Sequence, residues 1–194
     1  MCAQLVSVNI ASAKPLLASG RKVLSAIGKR AVSGSAPVIP MGLLGDEQAD
    51  LSVHGGLDKA VYAYPVEHYA FWRAARREHG ASMFDEDLPH GFMGENLTIS
   101  GLLELDVFMG DELIFPHCRL RVEAPREPCF KFAAVMGFAQ SGKLMVQEAR
   151  CGWYLSVVHA GSLQAGESFT LISGARRLSI ADAIRGKMAK HRRD

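Results

Sequence analysis

One cysteine stands where its sulfur could do chemistry. It ends the segment Pro125-Arg126-Glu127-Pro128-Cys129. Each proline fixes its own φ and pushes the preceding residue towards an extended backbone, so the segment is predicted to be a stiff loop. A neighbouring cation lowers the pKa of a thiol, and the thiolate is the form that attacks electrophiles or binds soft metals. Cys129 beside Arg126 is therefore a candidate nucleophile or metal ligand, although on this motif alone a small buried hydrophobe is the more usual interpretation of a lone cysteine.

A second motif, His54-Gly55-Gly56 followed by Lys59, could bind an anion. Adjacent glycines let the backbone approach a ligand closely, and successive N–H groups in such a turn can form an anion nest. His54 and Lys59 add a titratable donor and a cation. The other interpretation is that Gly-Gly marks only a tight turn.

A third motif, Gly94-Glu95-Asn96-Leu97, leads into a strand. Asn96 offers both a donor and an acceptor and could recognise the edge of a heterocycle. Alternatively, Glu95 and Asn96 hold a neighbouring loop. Upstream, the acidic segment 45–50 has no spacing typical of a zinc or calcium site, so we predict no metal bound by protein ligands alone.

Short strands must position these motifs, since short runs of β-forming residues bounded by glycine or proline are frequent in the chain. Strands are predicted at Leu5–Ile10, Val23–Ile27, Val38–Ile39, Ala60–Tyr64, Leu97–Ile99, Leu113–Phe115, Leu120–Val122, Tyr154–Val158 and Phe169–Ile172. Helices are predicted from Pro65 to about His79 and around Lys143–Ala149, and a long shaped loop over Met41–Leu57. The fold class expected is mainly β, a barrel with a few peripheral helices.

The end of the chain is predicted to form a basic amphipathic helix. Ser179 and Asp182 resemble a capping box. An apolar stripe with helical spacing follows, consisting of Ile180, Ala183, Ile184, Lys187 and Met188. The cations near its end suit the helix dipole better than they suit nucleic acid, because no aromatic residues lie between them. We therefore expect one barrel domain over residues 1–176, with the helix of residues 177–194 packed on it.

Composition excludes several classes of function. The chain has 194 residues and a formal net charge of +2, a balance not built for coating nucleic acid or an anionic membrane. No apolar run approaches the roughly 20 residues of a membrane helix, and no secretory signal is visible. The four cysteines are scattered without a C-x-x-C pair. The expected location is the cytoplasm, where thiols stay reduced.

Taken together and in order, these motifs resemble the MOSC domain, the module named after the C-terminal part of molybdenum-cofactor sulfurases, and its free-standing bacterial YiiM-like branch in particular. The resemblance covers about Ser7 to Ile172. The matching segments are Gly45-Asp46-Glu47-Gln48-Ala49, Val53-His54-Gly55-Gly56, Lys59-Ala60, Tyr64-Pro65 with Glu67-His68-Tyr69, Gly94-Glu95-Asn96-Leu97, Met109-Gly110-Asp111, Pro125-Arg126-Glu127-Pro128-Cys129 with Lys131, and Gly152-Trp153-Tyr154.

The resemblance implies a mostly antiparallel, Greek-key-like β-barrel whose cleft holds the proline-flanked cysteine. It also implies an association with molybdenum cofactor, a pyranopterin phosphate whose dithiolene sulfurs bind the metal. Carried onto this chain, Cys129 would be a ligand of the molybdenum. Arg126, Lys59, Gly55 and Gly56 would meet the anionic cofactor, and Glu95 and Asn96 would stand beside it. Pyridoxal phosphate is not expected, because its lysine belongs to the separate sulfurase domain.

The function implied is the reduction of N-hydroxylated small molecules such as hydroxylaminopurines or amidoximes. The substrate oxygen would pass to reduced molybdenum, and His54 is a candidate for protonating the departing nitrogen product, since its ordinary pKa of about 6.5 suits that task. Neither iron–sulfur ligands nor a nucleotide-binding fingerprint is visible, so an external electron-donor protein is expected. The alternative is a sulfur-carrier or cofactor-carrier module with a persulfide on Cys129.

Overall fold

Short strands form most of the regular structure. The computed structural model describes residues 3–49, 55–84 and 86–190. Its strands are β1 (Ala3–Ile10), β2 (Lys14–Ala18), β3 (Arg21–Ser25), β4 (Arg30–Ala31), β5 (Ala36–Ile39), β6 (Gly42–Leu43), β7 (Val61–Pro65), β8 (Leu97–Ser100), β9 (Glu112–Ile114), β10 (Arg119–Pro125), β11 (Trp153–His159), β12 (Gly161–Leu163) and β13 (Ser168–Ile172). Its α-helices are α1 (Tyr69–Glu78), α2 (Phe130–Met136), α3 (Ser141–Gln147) and α4 (Ile180–Lys190).

Seven strands close into a barrel in the order β13-β9-β10-β11-β7-β8-β1, and β1 pairs with β13 to complete it. Ala3 lies opposite Phe169 at this closing seam. Strand β7 runs parallel to β8, whereas the other neighbouring pairs within the described barrel are antiparallel. The predicted mainly β barrel with peripheral helices and a C-terminal helix is confirmed.

The barrel interior is filled by side chains from its strands. Leu5, Leu97, Leu120 and Leu155 are fully buried and belong to one continuous apolar core. Strand β7 is buried at all five of its positions, and Val61–Tyr64 belong to the same apolar core. The strand that follows the His54-Gly55-Gly56 motif is therefore part of the barrel core.

The first helix begins later than expected. Pro65 ends β7, a 3₁₀ turn covers Val66–His68, and α1 starts at Tyr69. The predicted position of Pro65 in the first helical turn is wrong. Its peptide group instead continues the parallel pairing of β7, where Pro65 lies opposite Ile99.

Several elements were not predicted. Strand β2 is one of them; it pairs with β3, which overlaps the predicted strand Val23–Ile27, in a hairpin outside the barrel that α2 contacts. Within the expected loop Met41–Leu57, the residues that the structure describes include the short strand β6. Helix α2 begins directly after Cys129, in a segment for which no element was predicted.

Helix α4 packs against β10 and α3. Ile180, Ala181 and Ile184 are its buried residues, whereas Lys187 is exposed and its ammonium pairs with Glu127. The buried face of α4 is thus rotated towards Ala181 relative to the predicted apolar stripe. The boundary at residue 176 stays a prediction. None of the described helices is long and apolar enough to cross a membrane.

Candidate functional site

A cleft of about 110 Å³ lies between the β2–β3 hairpin, the barrel and the start of α2. Four predicted site residues line it, namely Lys59, Asn96, Arg126 and Cys129. The lining that the structure describes has four cations (Lys29, Lys59, Arg126 and Lys131) and two carboxylates (Asp46 and Glu47). The cleft therefore favours a ligand that carries negative charge.

The proline-flanked segment runs from the last residue of β10 to the start of α2. Pro125 lies opposite Trp153 in the barrel, and the Arg126 N–H donates to the Gly152 carbonyl over 3.3 Å. Cys129 has an extended backbone, with φ −125° and ψ 171°, and its carbonyl accepts the Phe132 N–H over 2.9 Å. Strand pairing on one side and helix initiation on the other hold the sulfur in place.

Cys129 differs from the other cysteines that the structure describes. Cys118 and Cys151 are buried, and burial raises the pKa of both thiols, that of Cys118 to about 12. Both thiols therefore stay protonated and packed. Cys129 is only half-buried and lines the cleft, so its sulfur can meet a ligand there.

Arg126 is a buried cation without an ion pair to any carboxylate that the structure describes. Its guanidinium lies 4.6 Å from the centre of the Phe132 ring and donates to the Met145 sulfur over 3.3 Å. Its charge also acts on the Cys129 thiol and on the Tyr154 hydroxyl. A buried charge needs a compensating partner. A thiolate at Cys129, or an anionic ligand, supplies one.

Tyr154 forms part of the same wall. Burial raises the pKa of its hydroxyl, so this group stays protonated and can donate a hydrogen bond. The Lys59 ammonium lies 5.7 Å from the centre of the Tyr154 ring. Lys59 and Arg126 thus approach one aromatic side chain of the cleft.

Asn96 lines the cleft, but its amide is held by the protein. Its Nδ2 donates to the Asp46 carboxylate over 2.8 Å and to the Asn9 carbonyl over 3.2 Å, while its Oδ1 accepts the Tyr62 N–H over 3.1 Å. Both N–H donors are therefore used. This geometry favours the structural role for Asn96 over recognition of a heterocycle.

Glu95 is fully buried and does not belong to the described cleft lining. Its carboxylate accepts hydrogen bonds from the Tyr69 hydroxyl, from the Gly91 N–H over 2.8 Å and from the Met93 N–H over 3.0 Å. Glu95 thereby fixes the turn that carries Met93 and Gly94 to the cleft wall.

The Gly-Gly motif is only partly described, because His54 lies outside the described residues. Gly55 and Gly56 do not line the cleft. Gly56 has φ 92°, which favours glycine, and its N–H donates to the Gln48 side chain over 3.1 Å. Gln48 does line the cleft, so this turn lies directly behind the wall.

Sequence reasoning missed Lys29, whose ammonium forms an ion pair with Asp46 at the cleft wall. No motif surrounds this lysine, and its burial depends on a partner in another loop. Among the described residues, no group of three or more His, Cys, Asp or Glu side chains could hold a metal ion. The cleft chemistry therefore depends on one sulfur and several cations.

The fit of an anionic, metal-bearing cofactor can be tested on these residues. The Arg126 charge without a described carboxylate partner suits an anion, and the accessible Cys129 sulfur suits a soft metal. Lys59 adds a further cation at the same wall. The donor set fits a molybdenum cofactor.

Comparison with known proteins identifies relatives of the chain. It is 35% identical over 159 residues to the protein YiiM of Escherichia coli, covering 82% of this chain and 69% of that protein. It is 32% identical over 156 residues to a reductase of Gibberella moniliformis, covering 80% of this chain but 27% of that longer protein.

A solved structure also matches. The crystal structure of YiiM from Geobacillus stearothermophilus superposes with a TM-score of 0.74 and 30% identity, covering 99% of this chain and 86% of that chain. The family profile described as the MOSC domain, which is associated with molybdenum cofactor, matches residues 50–170. The chain belongs to the MOSC domain family.

Proposed function

We propose that this protein binds molybdenum cofactor through the Cys129 thiolate and reduces N-hydroxylated small molecules of the hydroxylaminopurine or amidoxime type. The observation that carries the proposal is the Cys129 sulfur beside the buried Arg126 guanidinium in one cleft. Membership of a family associated with molybdenum cofactor, and similarity to a reductase, support it.

Each residue has a role in this proposal. Cys129 holds the metal, and Arg126 and Lys59 compensate the cofactor's negative charge. Gly55, Gly56 and Asn96 keep the backbone and loops around it in place, and Glu95 fixes the turn behind. The protonated Tyr154 hydroxyl donates a hydrogen bond into the cleft. The bound cofactor would supply two-electron reduction of the N–O bond, with the electrons drawn from an external donor protein.

The test compares protein made in a host that synthesises molybdenum cofactor with protein made in a host blocked in its synthesis. Molybdenum content and reduction of 6-hydroxylaminopurine by a chemical reductant are measured for both. We expect about one molybdenum per chain in the first preparation, lost together with activity in Cys129→Ser. Cys118→Ser serves as the control, because its sulfur is buried away from the cleft.

Two results contradict the proposal. Full activity in Cys129→Ser removes the thiolate ligand from the mechanism. A metal-free protein with a persulfide on Cys129, detected by mass spectrometry, favours the alternative sulfur carrier.

Arg126 gives a second test. In Arg126→Met the side chain keeps most of its apolar length but loses its charge, so retention of molybdenum should fall about 10–100-fold, as it does when groups around a metal site are removed. Arg121→Met is the matched control, since Arg121 is a half-exposed arginine of β10, the strand that Arg126 directly follows. Equal molybdenum retention by both variants during gel filtration contradicts the role of Arg126.

A further inference from the structure

Lys29 is a buried cation of the cleft that the proposed function leaves without a role. Its side chain is only 7% exposed and lines the cleft. The backbone on both sides is held, because the Lys29 N–H donates to the Ile27 carbonyl over 2.9 Å and Gly91 packs against the Lys29 carbonyl. The backbone that carries this side chain is therefore fixed.

Two of the three N–H donors of the Lys29 ammonium are accounted for by its recorded hydrogen bonds. A lysine ammonium has three N–H donors. Within the described residues, its recorded bonds go to the two oxygens of one carboxylate, Oδ1 and Oδ2 of Asp46, the second over 2.6 Å. Asp46 is itself fixed by the Ala11 N–H over 2.8 Å and by Asn96. The third N–H is thus available to a ligand in the cleft.

Resting on the proposed function, we infer that Lys29 is the acid that delivers a proton to the product nitrogen when the N–O bond breaks. The overall step is R–NH–OH + 2 e⁻ + 2 H⁺ → R–NH₂ + H₂O. One proton leaves Lys29 Nζ and forms the new N–H bond, and the second comes from solvent. The electrons come from the chemical or protein reductant, and solvent returns a proton to Lys29.

The surroundings of Lys29 suit an acid that can lose its proton. Burial lowers the pKa of Lys29 from its ordinary value of 10.5, against the opposing effect of Asp46 and Glu95. The other charged groups that line the cleft are the Lys59, Arg126 and Lys131 cations and the Glu47 carboxylate. A general acid works best when its pKa lies near the working pH.

Three variants separate a proton donor from a fixed charge. Lys29→Met removes both the charge and the proton, whereas Lys29→Arg keeps the charge beside Asp46 but does not give up a proton. Lys22→Met is the control, since Lys22 is an exposed lysine of β3. We expect turnover per bound molybdenum to fall about 100-fold or more in both Lys29 variants and to stay unchanged in Lys22→Met.

The pH dependence of turnover tests whether the protonated form of Lys29 is the active one. Because Lys29 must be protonated to act, activity should fall as the pH rises through its lowered pKa. This alkaline limb should be absent in Lys29→Arg. In Asp46→Asn it should move to lower pH, because the Asp46 charge raises the pKa of Lys29.

A measurement on cofactor-free protein does not depend on turnover. With ¹⁵Nζ-labelled lysine, the NMR signal that disappears in Lys29→Met should titrate below the signal of Lys22. A Lys29 signal that titrates together with Lys22 overturns the inference.

Other outcomes are equally decisive. Restored turnover in Lys29→Arg makes Lys29 a fixed charge, and loss of molybdenum with normal turnover per bound metal makes it a cofactor-binding residue. An alkaline limb that is lost in His54→Gln and kept in Lys29→Arg assigns the proton to His54.

If wild-type protein retains molybdenum but reduces no N-hydroxylated compound, the proposed function is wrong. The NMR titration still measures the pKa of Lys29 in that case.

Discussion

At the scale of single residues, the cleft depends on polar groups that are each held by several partners. Asp46 accepts from Lys29, Asn96 and the Ala11 N–H, and Glu95 accepts from a tyrosine and two backbone groups. Satisfied buried networks of this kind fix one geometry. A change in either carboxylate should therefore be visible in stability as well as in ligand binding.

The ionisation of Glu95 should make stability depend on pH. Burial raises the pKa of Glu95 above its ordinary value of 4.5, so the folded state holds a proton that the unfolded chain has released. Between these two pKa values, stability from this group falls as the pH rises. The free energy of urea unfolding of wild type minus that of Glu95→Gln should accordingly decrease from pH 4.5 upward. A difference that stays flat or increases contradicts the raised pKa.

Gly152 should tolerate no side chain. A Cβ there would meet the Ala63 carbonyl oxygen at 2.3 Å, and φ is +62°. Gly152→Ala should therefore lose at least about 2 kcal/mol more stability than Gly166→Ala, which has φ +93° but nothing within 4 Å of its Cβ. Denaturant unfolding measures both, and equal losses contradict the steric argument.

The sequence identified Cys129, Arg126 and Lys59 because each lies beside prolines, glycines or charges that mark a loop. Lys29 also has a glycine and a charge beside it, Gly28 and Arg30, but it belongs to none of the motifs that the sequence indicated. Its partner Asp46 is 17 residues away in the chain and accepts the backbone N–H of Ala11, the residue that follows β1. Burial that depends on three separated segments cannot be inferred from local pattern.

At the scale of elements, the site depends on α2 and α4 as much as on strands. Helix α2 starts at the residue after Cys129, and α4 packs on β10 while its Lys187 reaches Glu127 in the proline-flanked segment. The sequence predicted α4 from its capping pair and spacing. It did not predict α2, whose 7 residues are too few to show a helical period.

The packing of α4 should be measurable. Ile184 is 1% exposed, so Ile184→Ala should cost about 2–4 kcal/mol of unfolding free energy. Arg185→Ala, at an exposed position on the same helix, should stay within about 0.5 kcal/mol of wild type. Chemical denaturation tests both, and a small effect of Ile184→Ala would mean that α4 unfolds without the barrel.

At the scale of the whole molecule, the barrel is closed by strands from opposite ends of the described chain, β1 and β13. Strand existence could be predicted for most of the barrel from apolar runs between glycines and prolines. The order of the strands in the barrel could not be predicted from the sequence. The pairing of β1 with β8 and β13 is decided by packing between residues that are far apart in the chain.

A disulfide across the seam should test this closure. Gln4 lies opposite Ser168, and both are exposed, so Gln4→Cys with Ser168→Cys should form a bridge with allowed geometry. Oxidation should raise the unfolding free energy by about 2–4 kcal/mol relative to the same variant when reduced. Failure to form the bridge under mild oxidation contradicts the register.

The seam between β1 and β13 also sets an order of events during biosynthesis. The ribosome delivers Ala3 long before its partner Phe169, so the edge of β1 that pairs with β13 stays unpaired until Phe169 has been synthesised. The barrel therefore cannot close until residues 168–172 have been synthesised. We therefore expect cofactor insertion to follow the synthesis of β13, and a chaperone that shields an exposed strand edge would act before it.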